Sequence, residues 1–298
     1  MRKLLLPTRP GENALYARLR DSLDPHAVER RDFFAKLWEQ FEPLAPKGFQ
    51  KKLQIEFHQR WWEMYLTVAL CRLGLKPRCP KADEGPDITI DISNWKVFIE
   101  ATAPSIGITS DRVPEVFSNG VQYFPERECL LRLTQALTDK RTKFDQYIKS
   151  ERIPINSACV VALSSCALNQ FGTLLDGVHP APLSVLAGAG PPVVTFGGSR
   201  PPYTSRRDIL KRDSEREVNV CLFDTPEFRI ISAVLYSPID LWNAPLDTEK
   251  TISLFLNPNP INPLPASFTC RFEHWFQESL SQDQRTWKRI QQIYSEKP

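Results

Sequence analysis

The sequence lacks the features that mark several common classes of protein. Its formal net charge is only +3 over 298 residues, an excess too small to indicate nucleic-acid binding. This charge does not exclude a nucleic-acid-binding protein that concentrates its positive residues on one face. No run of about 18 apolar residues occurs, and the basic N-terminus reaches only the leucines 4–6 before Pro7. We therefore expect a cytoplasmic protein with neither a signal peptide nor a membrane span.

Motifs of several enzyme and metal-binding classes are also missing. The 7 cysteines are scattered and include no Cys-x-x-Cys pair, which argues against a zinc ribbon or a disulfide framework. The 4 histidines show no metal-ligand spacing. The glycine-rich stretches at 188–192 and 196–202 lack the Gly-x-x-x-x-Gly-Lys pattern, and no Gly-x-Ser-x-Gly elbow is present. A nucleotide-binding P-loop and a serine hydrolase therefore have little support.

The composition is that of a globular protein with long connections. Hydrophobic residues make up 42% and charged residues 24% of the chain, which fits neither disorder nor a coiled-coil rod. There are 26 prolines, many after residue 150, and these predict irregular segments in the second half. A single extended α/β domain is the simplest expectation for this length.

Helical spacing dominates the first quarter of the chain. Over residues 13–43, aromatic side chains and leucines recur every three or four positions until Pro43 and Pro46 end the pattern. Residues 49–74 repeat this spacing, and Gly74 supplies a C-terminal stop. A long amphipathic helix is predicted at 126–151, and a polar, aromatic-studded helix at 272–297.

Short alternating or apolar runs predict the strands. The candidates are residues 75–80, 87–93, 96–103, 156–165, 193–196, 217–223, 231–237 and 251–258. An insertion or flexible loop is expected near 196–216, where glycine and proline interrupt every pattern.

That loop also holds a cluster of basic residues. Arginine and lysine occur there at positions 200, 206, 207, 211 and 212, with Asp208 and Asp213 among them. Such a run is either a solvated mobile loop or a basic arm that contacts a nucleic-acid strand.

Glu63, Asp87 and Glu100 form the most informative constellation. If residues 88–93 pair with 96–101 as a hairpin, Asp87 and Glu100 lie at the same end of the ribbon. Two neighbouring carboxylates repel unless a cation lies between them, and hard oxygen ligands suit Mg²⁺ or Mn²⁺. Glu63, on the preceding helix, could supply a third oxygen.

Each of these acids has an ordinary interpretation when taken alone. Asp87 after Gly85-Pro86 is a common turn, Glu100 could face solvent on an edge strand, and Glu63 could be a solvated helix position. Glu100, however, lies in an otherwise apolar strand, where a lone buried charge would be very costly. The three acids together predict a divalent-metal site.

The stretches "WWEMYLTVALCRLGL", "GPDI" and "VFIEATAP" resemble the PD-(D/E)XK nuclease superfamily. The resemblance implies a restriction-endonuclease-like core, αβββαβ with a mixed central sheet flanked by helices, over residues 51–165. Residues 1–50 would form an N-terminal helical cap and residues 166–298 a C-terminal β/α extension. Carried over by position, the metal ligands are Glu63, Asp87 and Glu100, and the implied cofactor is Mg²⁺ or Mn²⁺.

One position departs from the family pattern. The family's lysine, two residues after the strand acid, falls on Thr102, which carries no charge. In some branches a neighbouring element supplies this lysine, and the helix at 126–151 offers Lys140 as the preferred substitute, with Lys143 and Gln135 as further candidates. Lys96 lies at the wrong end of the strand.

The resemblance implies hydrolysis of phosphodiester bonds in nucleic acid, DNA rather than RNA, by a monomer or a homodimer. The alternative is a catalytically inactive member of the fold that binds nucleic acid or protein, which Thr102 favours. A third hypothesis is an unrelated α/β protein of small-molecule function in which Asp87 and Glu100 are incidental.

Overall fold

A computed structural model describes most of the chain. The described residues are 5–80, 85–115, 124–168, 176, 179–192, 203–212, 214, 216–245, 251–281 and 284–290. Within these ranges no helix combines the length and the hydropathy that crossing a membrane requires.

The N-terminal region is a group of helices. They are α1 (Ala14–Asp21), α2 (Pro25–Phe41), α3 (Phe49–Leu53) and α4 (Phe57–Arg72). Both long helical stretches predicted from the sequence are therefore interrupted. Asp24 caps the N-terminus of α2 by accepting a hydrogen bond from His26 N–H, and Pro25 occupies its first turn, so a new helix begins there.

Within the described ranges, twelve strands and three further α-helices follow. The strands are β1 (Pro77–Arg78), β2 (Ile88–Ile92), β3 (Trp95–Thr102), β4 (Ala158–Ser164), β5 (Ala189–Pro192), β6 (Tyr203–Ser205), β7 (Asp208–Leu210), β8 (Glu217–Asn219), β9 (Ile231–Ser237), β10 (Ser253–Leu256), β11 (Glu273–Ser281) and β12 (Gln284–Ile290). The helices are α5 (Glu126–Lys149), α6 (Ala181–Leu186) and α7 (Ala266–Thr269).

Eight of these strands form one mixed sheet in the order β1-β2-β3-β4-β9-β10-β11-β12. The β1, β2 and β3 strands are antiparallel, whereas β3, β4 and β9 run parallel to one another. The predicted α/β class is confirmed at this level, as a large mixed sheet with helices on its faces.

The central strands are buried on both faces. Along β3, Val97, Ile99 and Ala101 join the core under α4 and the N-terminal helices. Phe98 instead joins the core under α5 and α6. Since side chains alternate across a strand, Glu100 and Thr102 point to the α5 side, as Phe98 does.

The C-terminal helix predicted at 272–297 is wrong. Residues 273–281 and 284–290 form the antiparallel hairpin β11–β12 at the edge of the main sheet. Trp275 stacks on Phe255 with ring centroids 5.9 Å apart, and Trp287 stacks on Phe223 at 6.2 Å. Packing of these aromatic side chains on the sheet outweighs the helical spacing of a mostly polar segment.

Three further expectations for the second half need correction or fall outside the described residues. The segment predicted as a loop near 196–216 contains β6 and β7, which pair with β5 and β8 in small two-stranded sheets. The strand predicted at 217–223 is shorter, because the chain turns into a 3₁₀ helix at Leu222–Asp224. The strand candidate at 193–196 lies outside the described residues.

Candidate active site

Glu100 is a fully buried carboxylate on the α5 face of the central sheet. Its exposed fraction is 0%. Lys140 Nζ and Lys143 Nζ donate hydrogen bonds to its Oε2 atom at 2.7 and 2.8 Å. The hydroxyl of Tyr147 lies 3.1 Å from its Oε1 atom. These three residues are spaced i, i+3 and i+7 on one face of α5, so a single helix supplies all the cationic partners.

Asp87 lies beside Glu100, as the hairpin spacing predicted. Ile88 pairs with Ile99, which brings the residue before β2 level with the end of β3. Asp87 Oδ2 accepts a hydrogen bond from the backbone N–H of Ala101 at 2.8 Å and lies 3.7 Å from Lys140 Nζ. The two carboxylates therefore share one ammonium group.

Glu63 is held by neighbours on its own helix. Its carboxylate accepts hydrogen bonds from Arg60 Nη1, at 2.7 Å to Oε1 and 2.6 Å to Oε2. Gln59 Nε2 also donates to Oε1, at 2.8 Å. Burial, with a smaller contribution from the charge of Asp87, raises the pKa of Glu63 against the opposing effects of Arg60 and Gln59. The negative charge of Asp87 therefore influences the pKa of Glu63, although the two carboxylates are not hydrogen-bonded to each other.

Gln59 joins α4 to the end of β3. Its Nε2 donates to the carbonyl oxygen of Ala101 at 3.1 Å, and its Oε1 accepts from the backbone N–H of Ala103 at 2.8 Å. This amide fixes the helix that carries Glu63 against the strand that carries Glu100.

Burial and the carboxylate of Glu100 both act on the pKa values of Lys143 and Tyr147. Burial alone would lower the pKa of Lys143, but the carboxylates of Glu100 and Asp87 outweigh it and raise that pKa. Burial raises the pKa of Tyr147. At neutral pH Lys143 is a cation that donates to Glu100. The one hydroxyl hydrogen of Tyr147 is shared between Glu100 Oε1 and the carbonyl oxygen of Gly85, which lies 3.0 Å away.

The other positions considered from the sequence lie away from these contacts. Thr102 is half-buried at the end of β3, on the same strand face as Glu100. Gln135 is exposed and donates to Asp139 at 2.6 Å, and Lys96 is exposed at the turn end of β3. Glu56 pairs with Arg60 at 2.5 Å. Of the candidates for the displaced lysine, Lys140 and Lys143 reach the carboxylates, whereas Gln135 and Lys96 do not.

The basic segment after residue 200 has anchors elsewhere. Arg206 pairs with Glu126 at 3.2 Å, and the backbone N–H of Arg212 donates to Asp111 at 3.0 Å. Arg200 and Asp213 lie outside the described residues.

An open cavity of about 460 Å³ adjoins the carboxylates. Glu63, Asp87, Lys143 and Tyr147 line it. Residues from the N-terminal region also line it, namely Phe41, Pro46, Lys47, Phe49 and Lys52. A solute in this cavity would therefore reach two of the three acids.

The oxygen donors suit a hard divalent cation in kind, but most of their charge is already balanced. Among the described residues, no group of three or more His, Cys, Asp or Glu side chains is arranged to enclose a metal ion. Arg60 covers Glu63, while Lys140 sits between Asp87 and Glu100. The ammonium of Lys140 lies between Asp87 and Glu100, where a bridging cation would sit, so a divalent ion could bind both carboxylates only by displacing that ammonium.

Comparisons with family models, with curated proteins and with solved structures gave no significant match to this chain.

Sequence reasoning missed three contributors to this site, namely Gln59, Arg60 and Tyr147. Each carried a readable signal. Gln59 and Arg60 precede Glu63 by four and three residues, the spacing at which helix side chains meet. Tyr147 follows Lys140 and Lys143 at the spacing of one helix face.

Proposed function

We propose that the protein is a divalent-metal-dependent nuclease with a restriction-endonuclease-like core, acting on phosphodiester bonds of nucleic acid with DNA as the preferred substrate. The observation that carries this proposal is the shared contact of Lys140, 2.7 Å from Glu100 and 3.7 Å from Asp87. It supplies a cation next to two acids, although residue 102 is threonine. The element order α4-β1-β2-β3-α5-β4 is consistent with the proposed core.

In this proposal Asp87 and Glu100 would hold Mg²⁺ or Mn²⁺, with Glu63 as a third oxygen ligand. Such an ion neutralises phosphoryl oxygens and makes a bound water more acidic. The protein's own groups have separate tasks. Lys140 donates a hydrogen bond that positions the attacking water, and Lys143 and Tyr147 hold the Glu100 carboxylate in one orientation.

The second candidate function is binding without cleavage, and one observation favours it. Glu63 and Glu100 each already have a cationic side-chain partner, so folding does not require a metal ion to neutralise them. An inactive member of the fold, acting as a binding module, would keep this arrangement permanently.

Cleavage assays separate these functions. Labelled DNA and RNA, single- and double-stranded, would be incubated with Mg²⁺, Mn²⁺ or a chelator. We expect Mn²⁺-dependent cleavage that Asp87→Asn and Glu100→Gln abolish and that Lys140→Met slows about 10²–10³-fold, since it removes a positioned electrostatic group. Soaking Mn²⁺ into crystals should give an anomalous peak between Asp87 and Glu100.

Two matched variants control for surface charge. Asp91→Asn removes an exposed acid of β2 that pairs with Arg78, and Lys149→Met removes an exposed lysine of α5 that pairs with Asp145. Both should cleave at the wild-type rate. Cleavage that survives Glu100→Gln would assign the activity to another site, and binding without cleavage under every condition would favour the inactive module.

A further inference from the structure

The cavity beside the carboxylates has a pronounced excess of positive charge. Five cationic residues line it: Lys47, Lys52, Arg60, Lys143 and Arg152. Glu63 and Asp87 are its acidic lining residues in the described part of the chain, which leaves an excess of three positive charges. A wall of this composition favours a polyanionic ligand.

Two of these cations make no ion pair within the part of the chain that the structure describes. Arg60 and Lys143 are bonded to Glu63 and Glu100. Lys47 and Lys52, in contrast, are exposed and have no ion-pair partner among the residues that the structure describes. Their charges are therefore available to a ligand.

The backbone of the cap places these two lysines on the cavity wall. Gly48 precedes α3 with φ of +79°, a conformation that glycine adopts without strain, and the chain turns into the helix there. Phe49 is buried and packs on Phe41 with ring centroids 4.7 Å apart. Lys52 lines the cavity, whereas the preceding Lys51 does not. Consecutive residues of a helix point about 100° apart, so one lysine lines the cavity and its neighbour does not.

The size and chemistry of the cavity point to one strand rather than two. Its volume of about 460 Å³ lies within the roughly 300–1,000 Å³ of sites that take a single small molecule, which is room for one nucleotide of a chain. The lining aromatic side chains Phe41, Phe49 and Tyr147 are all buried, so they offer no open face for base stacking. Recognition would then rest on phosphates and be independent of sequence.

We propose that this cavity binds a single strand of nucleic acid, with Lys47 and Lys52 holding backbone phosphates in the cavity that Asp87 and Glu63 also line. This inference rests on the proposed nuclease function and adds the strandedness of its substrate. In this proposal the helical cap holds the nucleic-acid strand close to the carboxylates.

The test measures binding in a chelator, where no metal-dependent cleavage takes place. Fluorescence anisotropy would follow a labelled single-stranded DNA oligonucleotide and its duplex over a series of salt concentrations. The variant is Lys47→Ala/Lys52→Ala. Its charge-matched control is Lys36→Ala/Lys51→Ala, which removes two exposed lysines that do not line the cavity.

We expect the single strand to bind more tightly than the duplex. Losing two phosphate contacts should make the slope of log K against log salt shallower by about 1.4, since each contact to a single strand contributes about 0.7. Counterion release no longer favours binding at a reference concentration of about 1 M salt. At about 0.1 M, one decade lower, a slope difference of about 1.4 corresponds to a Kd about 25-fold higher for the variant. The control should keep the wild-type slope.

An unchanged slope in Lys47→Ala/Lys52→Ala, an equal loss in the control, or tighter binding of the duplex would overturn the inference. These outcomes are distinguishable from failure of the proposed function. A Lys47- and Lys52-dependent complex that never cleaves leaves the strand-binding inference intact and refutes the nuclease. Cleavage by Lys47→Ala/Lys52→Ala with wild-type kcat/KM would instead support the nuclease and refute the role of these two lysines in strand binding.

Discussion

Removing Lys140 and Lys143 together should destabilise the protein far more than removing either one. Both ammonium groups bond to the same Oε2 atom of Glu100, which is fully buried. In Lys140→Met or Lys143→Met, the remaining lysine still neutralises Glu100. In the double variant the Tyr147 hydroxyl is the remaining side-chain donor to this carboxylate within the described structure.

The expected magnitudes follow from burial. The side chain of Lys140 is 17% exposed, so its hydrogen bond to a charged acceptor should contribute about 1.5 kcal/mol. The side chain of Lys143 is 40% exposed, and solvent screening lowers its contribution to about 0.5–1 kcal/mol. The double variant leaves an uncompensated buried charge and should lose about 3–5 kcal/mol, more than the sum of the single losses.

Urea unfolding followed by tryptophan fluorescence measures these differences, because the chain has 7 tryptophans and an unchanged m-value shows that the unfolding transition is comparable. A third substitution sharpens the test. Adding Glu100→Gln to the double variant removes the buried charge and should restore most of the lost stability. A triple variant no more stable than the double, or strictly additive single losses, would refute the role assigned to Glu100.

Two further predictions concern pH and backbone conformation. Because the folded-state pKa of Glu63 is raised, its contribution to stability is present below the unfolded-state pKa of about 4.3 and is lost as pH rises through the folded value. The non-titrating variant Glu63→Gln should therefore gain in urea midpoint relative to wild type as pH rises above the unfolded-state pKa of about 4.3, and a constant difference would contradict the raised pKa. Gly188 and Gly11 have similar φ values of +66° and +72°, but a β-carbon at Gly188 would overlap the carbonyl oxygen of Arg206, whereas one at Gly11 meets nothing within 4 Å. Gly11→Ala should cost about 1–2 kcal/mol and Gly188→Ala clearly more in thermal unfolding, since overpacking adds about 1–3 kcal/mol. Equal costs would show that the space around Gly188 relaxes.

The sequence predicted best those elements whose local hydrophobic pattern favours the same structure as their tertiary packing does. The strand predicted at 231–237 coincides with β9, and the helix predicted at 126–151 is α5, Glu126–Lys149. The helix α5 has amphipathic periodicity and packs on the central sheet, whereas β9 is an apolar run buried within that sheet. The hairpin spacing likewise placed Asp87 beside Glu100, because strand pairing converts a count of residues into a position in space.

The elements that sequence reasoning missed depend on partners distant in the chain. Residues 273–281 and 284–290 form strands because they pair with the edge of β10 and pack on Phe255 and Phe223. No local pattern contains that information, since β propensity depends on the neighbours available for packing.

The sequence by itself determined the class of fold and the residue types of the candidate site: an acid before β2, an acid in an apolar strand and an acid on α4. The sequence offered Lys140 and Lys143 as candidates, but only tertiary structure decided that both meet Glu100 and that Arg60 meets Glu63. Lys140 and Lys143 are forty or more residues from Glu100 in the chain, and they reach it because α5 packs on the strand face to which residue 100 points. A buried carboxylate must be neutralised, but the sequence does not say by which lysine, since that choice is made when the helix docks on the sheet.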